Sequence, residues 1–127
     1  MTLLLDTHTI LWFLENDPQL PTQTRTRIET SPTVLVSIIS LWEIAIKTNI
    51  GKLTLSFPFS DLESELITQN ITQLSITFSD LTIYHSLPLH HRDPFDRLLI
   101  AQAMNHSLPF ISRDTEFAPY PIQQIWD

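Results

Sequence analysis

The chain has 127 residues, 43% apolar and 17% charged, with seven Lys or Arg against fourteen Asp or Glu and a net charge of −7. That length fits one domain burying roughly two-thirds of its unfolded surface, and the composition excludes a disordered chain and, lacking any apolar run of roughly 20 residues, a bilayer-spanning helix. The acidic balance argues against gripping nucleic acid by phosphate neutralisation alone, and the absence of cysteine removes disulfides and thiolate metal sites and suits a reducing cytoplasm.

In chain order, Thr2 to Leu5 is a short, apolar strand candidate that ends at Asp6. The first residues lack a basic segment and carry Asp6 within the apolar stretch, which argues against a signal peptide. Thr7 to Glu15 is expected to form a short helix, and Pro21 to Thr30 a second, opening on proline. Thr33 to Val36, rich in β-branched residues, reads as a strand. Ile38 to Ile50 reads as a helix closed by Gly51, the only glycine. Ser60 to Asn70 is expected to open on a capping box of Ser60 and Glu63. Thr72 to Ile76 is a third strand, Thr77 to Ser86 a helix, Asp93 to His106 the last long helix, Pro109 to Ser112 a fourth strand and Ile122 to Trp126 an edge strand. Short apolar strands alternating with helices imply βαβ units and a mostly parallel sheet of four to five strands covered on both faces: a three-layer α/β/α sandwich in a single domain, residues 1–127.

In such sheets, sites form outside the carboxyl ends of the strands. Asp6 ends the first strand, and Asp114 follows the fourth by two residues. Glu43 lies in the helix after the second strand, and Asp96 lies in the first turn of the helix before the fourth. All four therefore fall on one rim. Each has a plain structural reading: Asp6 or Asp114 as a cap, Asp96 (or its neighbour Asp93) as a dipole partner, Glu43 as an i, i+4 partner of Lys47. Together they repel unless a cation neutralises them, and an oxygen-only set suits Mg²⁺ or Mn²⁺, whose chemistry is displacement at phosphorus. Five of the seven basic residues (Lys47, Lys52, Arg92, Arg97 and Arg113) lie close to these acids in sequence.

The histidines show no paired ligand spacing, so zinc is not expected, and His90 and His91 read as a structural or substrate-side element of the loop entering the last long helix. A single glycine excludes a P-loop. Trp12, Phe13, Trp42 and Phe95 read as core or interface residues.

The segments "LLLDTHTILWFL", "SIISLWEIAIKTNIGKL", "HHRDPFDRLLIAQA" and "FISRDTEF" occur in an order that resembles a PIN-domain protein over nearly the whole chain, most closely the VapC-like toxin ribonucleases of toxin–antitoxin pairs. The resemblance implies a parallel α/β sandwich, Mg²⁺- or Mn²⁺-dependent RNA cleavage, a small cognate antitoxin and homodimerisation. It carries the family acids onto Asp6, Glu43, Asp96 and Asp114, the positions the rim argument selects. Ser112 stands where the family often has threonine. Asp93 reads as the helix N-cap with Pro94 at N1, leaving Asp96 to face the site. Arg92, Arg97, Arg113, Lys47 and Ser112 are the candidates for contacting substrate. The alternative is a non-catalytic PIN-fold module that binds RNA or protein, against which the retention of all four acids argues. A DNA-flap nuclease lacks the chain length for an added clamp, and an aspartyl-phosphate phosphatase lacks the second Asp, since His8 occupies that place.

Overall fold

A computed structural model describes residues 1–127. Five strands, β1 (Thr2–Leu5), β2 (Thr33–Ser37), β3 (Ile71–Leu74), β4 (Phe110–Ile111) and β5 (Gln124–Ile125), form one sheet in the order β3-β2-β1-β4-β5, with every neighbouring pair parallel. The six helices are α1 (Thr7–Leu14), α2 (Thr22–Thr30), α3 (Ile38–Asn49), α4 (Leu62–Thr68), α5 (Phe78–His85) and α6 (Pro94–Asn105).

The period-two geometry of a strand explains the layering. Leu3 and Leu5 point into a core built with Ile10, Phe13, Ile28, Ile44 and Leu66 from α1 to α4. Leu4 points the other way, into a core with Leu98 to Ala101 of α6, Phe110, Phe117 and Tyr120. The central strand is buried on both faces, so its run of leucines alternates in direction while remaining apolar throughout. This is the expected three-layer α/β/α sandwich.

Local chemistry sets most boundaries. Gly51, with φ +77°, follows the α3 C-cap Ile50, and the amides of Gly51 and Lys52 return to the carbonyls of Thr48 and Lys47, a Schellman closure. Asn16 and Ser107 close α1 and α6 in the same way, also at positive φ.

One expected feature is absent. Ser60 does not cap α4: Phe59–Asp61 form a single 3₁₀ turn, α4 starts at Leu62, and no side chain caps it. The Asp61 and Leu62 amides bond the carbonyls of Pro58 and Phe59, which puts Ser60 inside the 3₁₀ turn and not at the extended position that an N-cap needs. The capping box in the structure belongs to α5, where Thr77 and Asp80 bond each other's amides.

Asp80 extends that box into a lock between α5 and α6. It also accepts from Asn105 (2.8 Å) and Gln102 (3.3 Å) and faces His106 Nε2 at 3.0 Å. Burial raises its pKa, but the bonds from Asn105, Thr77 and Gln102, with the His106 charge, more than offset this and hold the carboxyl below the usual value.

Candidate metal centre

Because every strand is parallel, the carboxyl ends share one edge, and α6, which runs back before β4, starts there too. Asp6 directly follows β1 and is buried. Its Oδ1 caps α1 through the Thr9 amide at 2.7 Å, so the cap reading and the rim reading both describe it. Burial raises its pKa, only partly countered by hydrogen bonds from Ser112 and Thr9. Glu43 is buried in α3, where Thr7 donates to Oε1 at 2.8 Å and Lys47 pairs with Oε2 at 2.9 Å. Asp114 caps the 3₁₀ turn Thr115–Phe117 with Oδ1, accepting from the Glu116 amide at 2.9 Å, and turns Oδ2 toward His91.

Asp96 stands where these groups meet. Burial, followed by the charges of Asp93, Glu43, Asp6 and Asp114, pushes its pKa up to about 8. Two neighbouring aspartates in one turn thus divide. Asp93 is the N-cap of α6, its Oδ1 accepting from the amides of Phe95 (2.8 Å) and Asp96 (3.1 Å), with Pro94 at the first helical position. Asp93→Ala is expected to cost about 1 kcal/mol in a denaturant melt, while Asp93→Asn, whose side chain caps equally well, should cost a few tenths at most. A large loss in Asp93→Asn would show that the charge itself is needed.

The sequence reading missed the closeness of His91 and Glu116. The ligand atoms of His91, Asp96 and Asp114 lie within 4.8 Å of one another. His91 Nε2 is 3.0 Å from Asp96, 3.3 Å from Glu116 and 3.8 Å from Asp114, yet makes no aligned hydrogen bond to any of them. Its other nitrogen decides its role. The Asp93 amide donates to Nδ1 at 3.2 Å, so in the neutral ring Nδ1 carries the lone pair and Nε2 the proton. His91 therefore presents a donor to the acids, and a cation here would be held by oxygen. Tyr120 Oη, which accepts the amides of His90 and His91 and donates to the Pro88 carbonyl, fixes this loop. Glu116 follows Asp114 by two residues, in the turn that Asp114 caps, so its spacing was the available signal; no spacing connects Tyr120 to the acids.

The candidate substrate contacts separate. Arg92 and Arg113 are exposed beside the acids. Lys47 is committed to Glu43, and Ser112 is buried against Asp6. Arg97 is a correction. It is only 8% exposed, and its guanidinium bonds the carbonyls of Leu87, Pro88 and His91 and the Tyr120 hydroxyl. Its position in α6 turns it away from the rim into the second core, so its guanidinium is engaged with loop carbonyls and not presented to a phosphate.

A divalent ion fits this donor set: carboxylate oxygens from four segments of the chain, close enough that Asp96 is driven toward protonation without a counter-charge.

No curated protein matches the chain in sequence. Solved structures share its fold. VapBC2 of Rickettsia felis, bound to a promoter DNA fragment, superposes with a TM-score of 0.73 at 16% identity, covering 100% of both chains. FitAcB of Neisseria gonorrhoeae gives 0.66 at 20%, covering 98% of this chain and 96% of that one. VapBC-5 of Mycobacterium tuberculosis, from a family of toxin–antitoxin systems, gives 0.57 at 17%, covering 98% and 95%. The PIN domain family model matches residues 3–122, which span every element from β1 to the approach to β5, and the chain belongs to the PIN domain family.

Proposed function

We propose that the chain is a Mg²⁺- or Mn²⁺-dependent endoribonuclease that acts in the cytoplasm as the toxin of a toxin–antitoxin pair. The observation that carries this reading is the crowding of Asp6, Glu43, Asp93 and Asp114 around Asp96, an arrangement that is costly without a cation. Asp6, Asp96 and Asp114, with Glu43 beside them, would hold the ion. When bound, it supplies charge neutralisation for the scissile phosphate and lowers the pKa of the attacking water. Around it, Lys47 and Thr7 hold Glu43 in place, and His91 sets Nε2 within 3.8 Å of Asp96, Asp114 and Glu116. Arg92 and Arg113 sit where flanking phosphates would pass.

The family and the named neighbours support a small cognate antitoxin as partner. The surface supports protein partners as well, the antitoxin and a second copy of the chain. Trp42 (58% exposed), Phe78 (82%) and Leu81 lie exposed on α3 and α5, and Trp42 and Leu81 border an apolar groove with Ile39, Tyr84, Phe95 and Leu98. An exposed apolar surface of this kind marks an interaction site.

Millimolar Mn²⁺ should raise the melting temperature of the wild type, because an ion that binds only the folded state stabilises it, and should switch on cleavage of single-stranded RNA. Asp6→Asn combined with Asp96→Asn should lose both effects. A metal-stabilised protein that binds RNA without cutting it would be the non-catalytic module; a melting curve indifferent to Mn²⁺ would remove the metal centre.

A further inference from the structure

Two cavities flank the acids. One, of about 450 Å³, is lined by His90, His91, Arg92, Asp93, Asp96 and Glu116 and has no apolar wall. The other, of about 330 Å³, is lined by Asp6, His8, Trp12, Arg113, Asp114 and Thr115. In this second cavity the Arg113 guanidinium lies 4.5 Å from the Trp12 ring centre, and His8 stacks on the same indole at 5.6 Å and 24°.

The walls of the second cavity have opposite chemistry. Asp6 and Asp114 belong to the candidate metal centre, so whatever fills the cavity is continuous with the reacting group. Facing them is a flat, cationic stack. Arg113 makes no ion pair, although Asp114 is its neighbour in sequence. Of the seven Lys and Arg residues, Arg25 bonds helix carbonyls, Arg27 pairs with Asp127, Lys47 pairs with Glu43 and Arg97 is buried. Lys52, Arg92 and Arg113 remain free, and two of these three line the flanking cavities. In a chain of net charge −7, free cations placed beside the acids suit an anion that crosses them.

We propose that the cavity beside Asp6 and Asp114 is a nucleotide subsite, in which Arg113 meets the phosphate next to the scissile one and the base stacks against the His8–Trp12 pair. The proposal rests on the RNA-nuclease reading and adds to it a one-sided preference: RNA lies across the acids from Arg92 to Arg113, and a base is gripped only at the Arg113 end, where the aromatic surface is. An acidic peptide would meet Asp6 and Asp114, and a basic one would meet Arg113. A nucleotide, with its ring on one wall and its phosphate bridged to the acids by a cation, satisfies both.

The test uses the full wild-type chain with millimolar Ca²⁺ in place of Mn²⁺, an oxygen-seeking ion that leaves the four acids intact while RNA is bound. A fluorescein-labelled single-stranded oligoribonucleotide is titrated by anisotropy against an oligomer of the same length with abasic sites. Stacking predicts about tenfold or greater weakening for the abasic oligomer. His8→Ala, an exposed position that tolerates truncation, should weaken the intact oligomer and shrink the abasic difference. Arg113→Gln should reduce the salt dependence by about one phosphate contact. Trp12→Phe, which keeps a ring, should retain most of the affinity. Equal affinity for intact and abasic RNA, or an abasic difference unchanged by His8→Ala, overturns the subsite while leaving the nuclease reading intact. Failure to bind either oligomer, in a protein that circular dichroism shows to be folded, overturns both.

Discussion

Asp96→Asn is expected to fold, to cleave RNA at least a hundredfold more slowly than the wild type, and to melt higher than the wild type at neutral pH when no metal is present. The loss of rate corresponds to roughly 3 kcal/mol or more of transition-state stabilisation. The gain in stability follows from the carboxyl's environment. Burial first, then the charges of Asp93, Glu43, Asp6 and Asp114, raise its pKa to about 8, against about 3.9 in an unfolded chain. The folded state therefore binds this proton more tightly than the unfolded state does. The resulting stability is fully present below about pH 4 and is lost as pH rises toward about 8. Asp6, raised by burial, acts in the same direction. Asp80, whose pKa is lowered, acts in the opposite one: its contribution is present above the ordinary carboxylate range and is lost only in stronger acid.

Calorimetric melts of the metal-free protein between about pH 5 and about pH 8 should show the wild type losing a few kcal/mol and Asp96→Asn losing distinctly less, the remainder coming from Asp6. Mn²⁺ should restore the wild type at the alkaline end, since the ion takes the place of the proton. A wild-type profile as flat as that of the variant would mean that the acids are less crowded than the geometry shows.

Arg97→Met is expected to destabilise the protein by about 3 kcal/mol or more, the largest loss of any single arginine change. Its guanidinium holds the carbonyls of Leu87, Pro88 and His91, which belong to the loop between α5 and α6, and removing it leaves the buried carbonyl bonds at Leu87 and His91 without their donor, while Pro88 keeps the Tyr120 hydroxyl. Tyr84 lies beneath it at 5.1 Å and loses a cation over its ring. Arg97→Lys should recover little of this, because a single ammonium cannot span carbonyls that the planar fork reaches together. Since the same loop carries His91 to the acids, the variant should also lose Mn²⁺ stabilisation, although Arg97 touches none of the four carboxylates. Urea melts with and without Mn²⁺ measure both effects. A stable Arg97→Lys with weakened RNA binding would instead return this residue to the substrate side.

The arginine shows where local pattern stops. The strands, the order of the helices and the rim position of Asp6, Glu43, Asp96 and Asp114 were legible because each follows from short-range chemistry: an apolar run too short for a helix, Pro94 after a capping Asp93, and Gly51 at a left-handed position. Parallel βαβ units then place the start of every following helix at one edge without any knowledge of strand order. That order, β3-β2-β1-β4-β5, was not legible, because it depends on which apolar faces meet across dozens of residues. Nor was the direction of a side chain on an apolar helix. Arg97 and Asp96 are adjacent in sequence, yet the helical turn of about 100° between them sends one into the core and the other to the acids. The Ser60 box failed because a 3₁₀ turn over Phe59–Asp61 takes Ser60 out of the extended conformation of an N-cap. Glu116 and His91 stand two and five residues from Asp114 and Asp96, but that they meet each other, and that Tyr120 fixes the His91 loop, depends on segments the sheet brings together. The sequence determined which groups carry charge at the edge of the sheet; the tertiary structure alone decided which of them face one another, because burial and partner choice are set by residues far away along the chain.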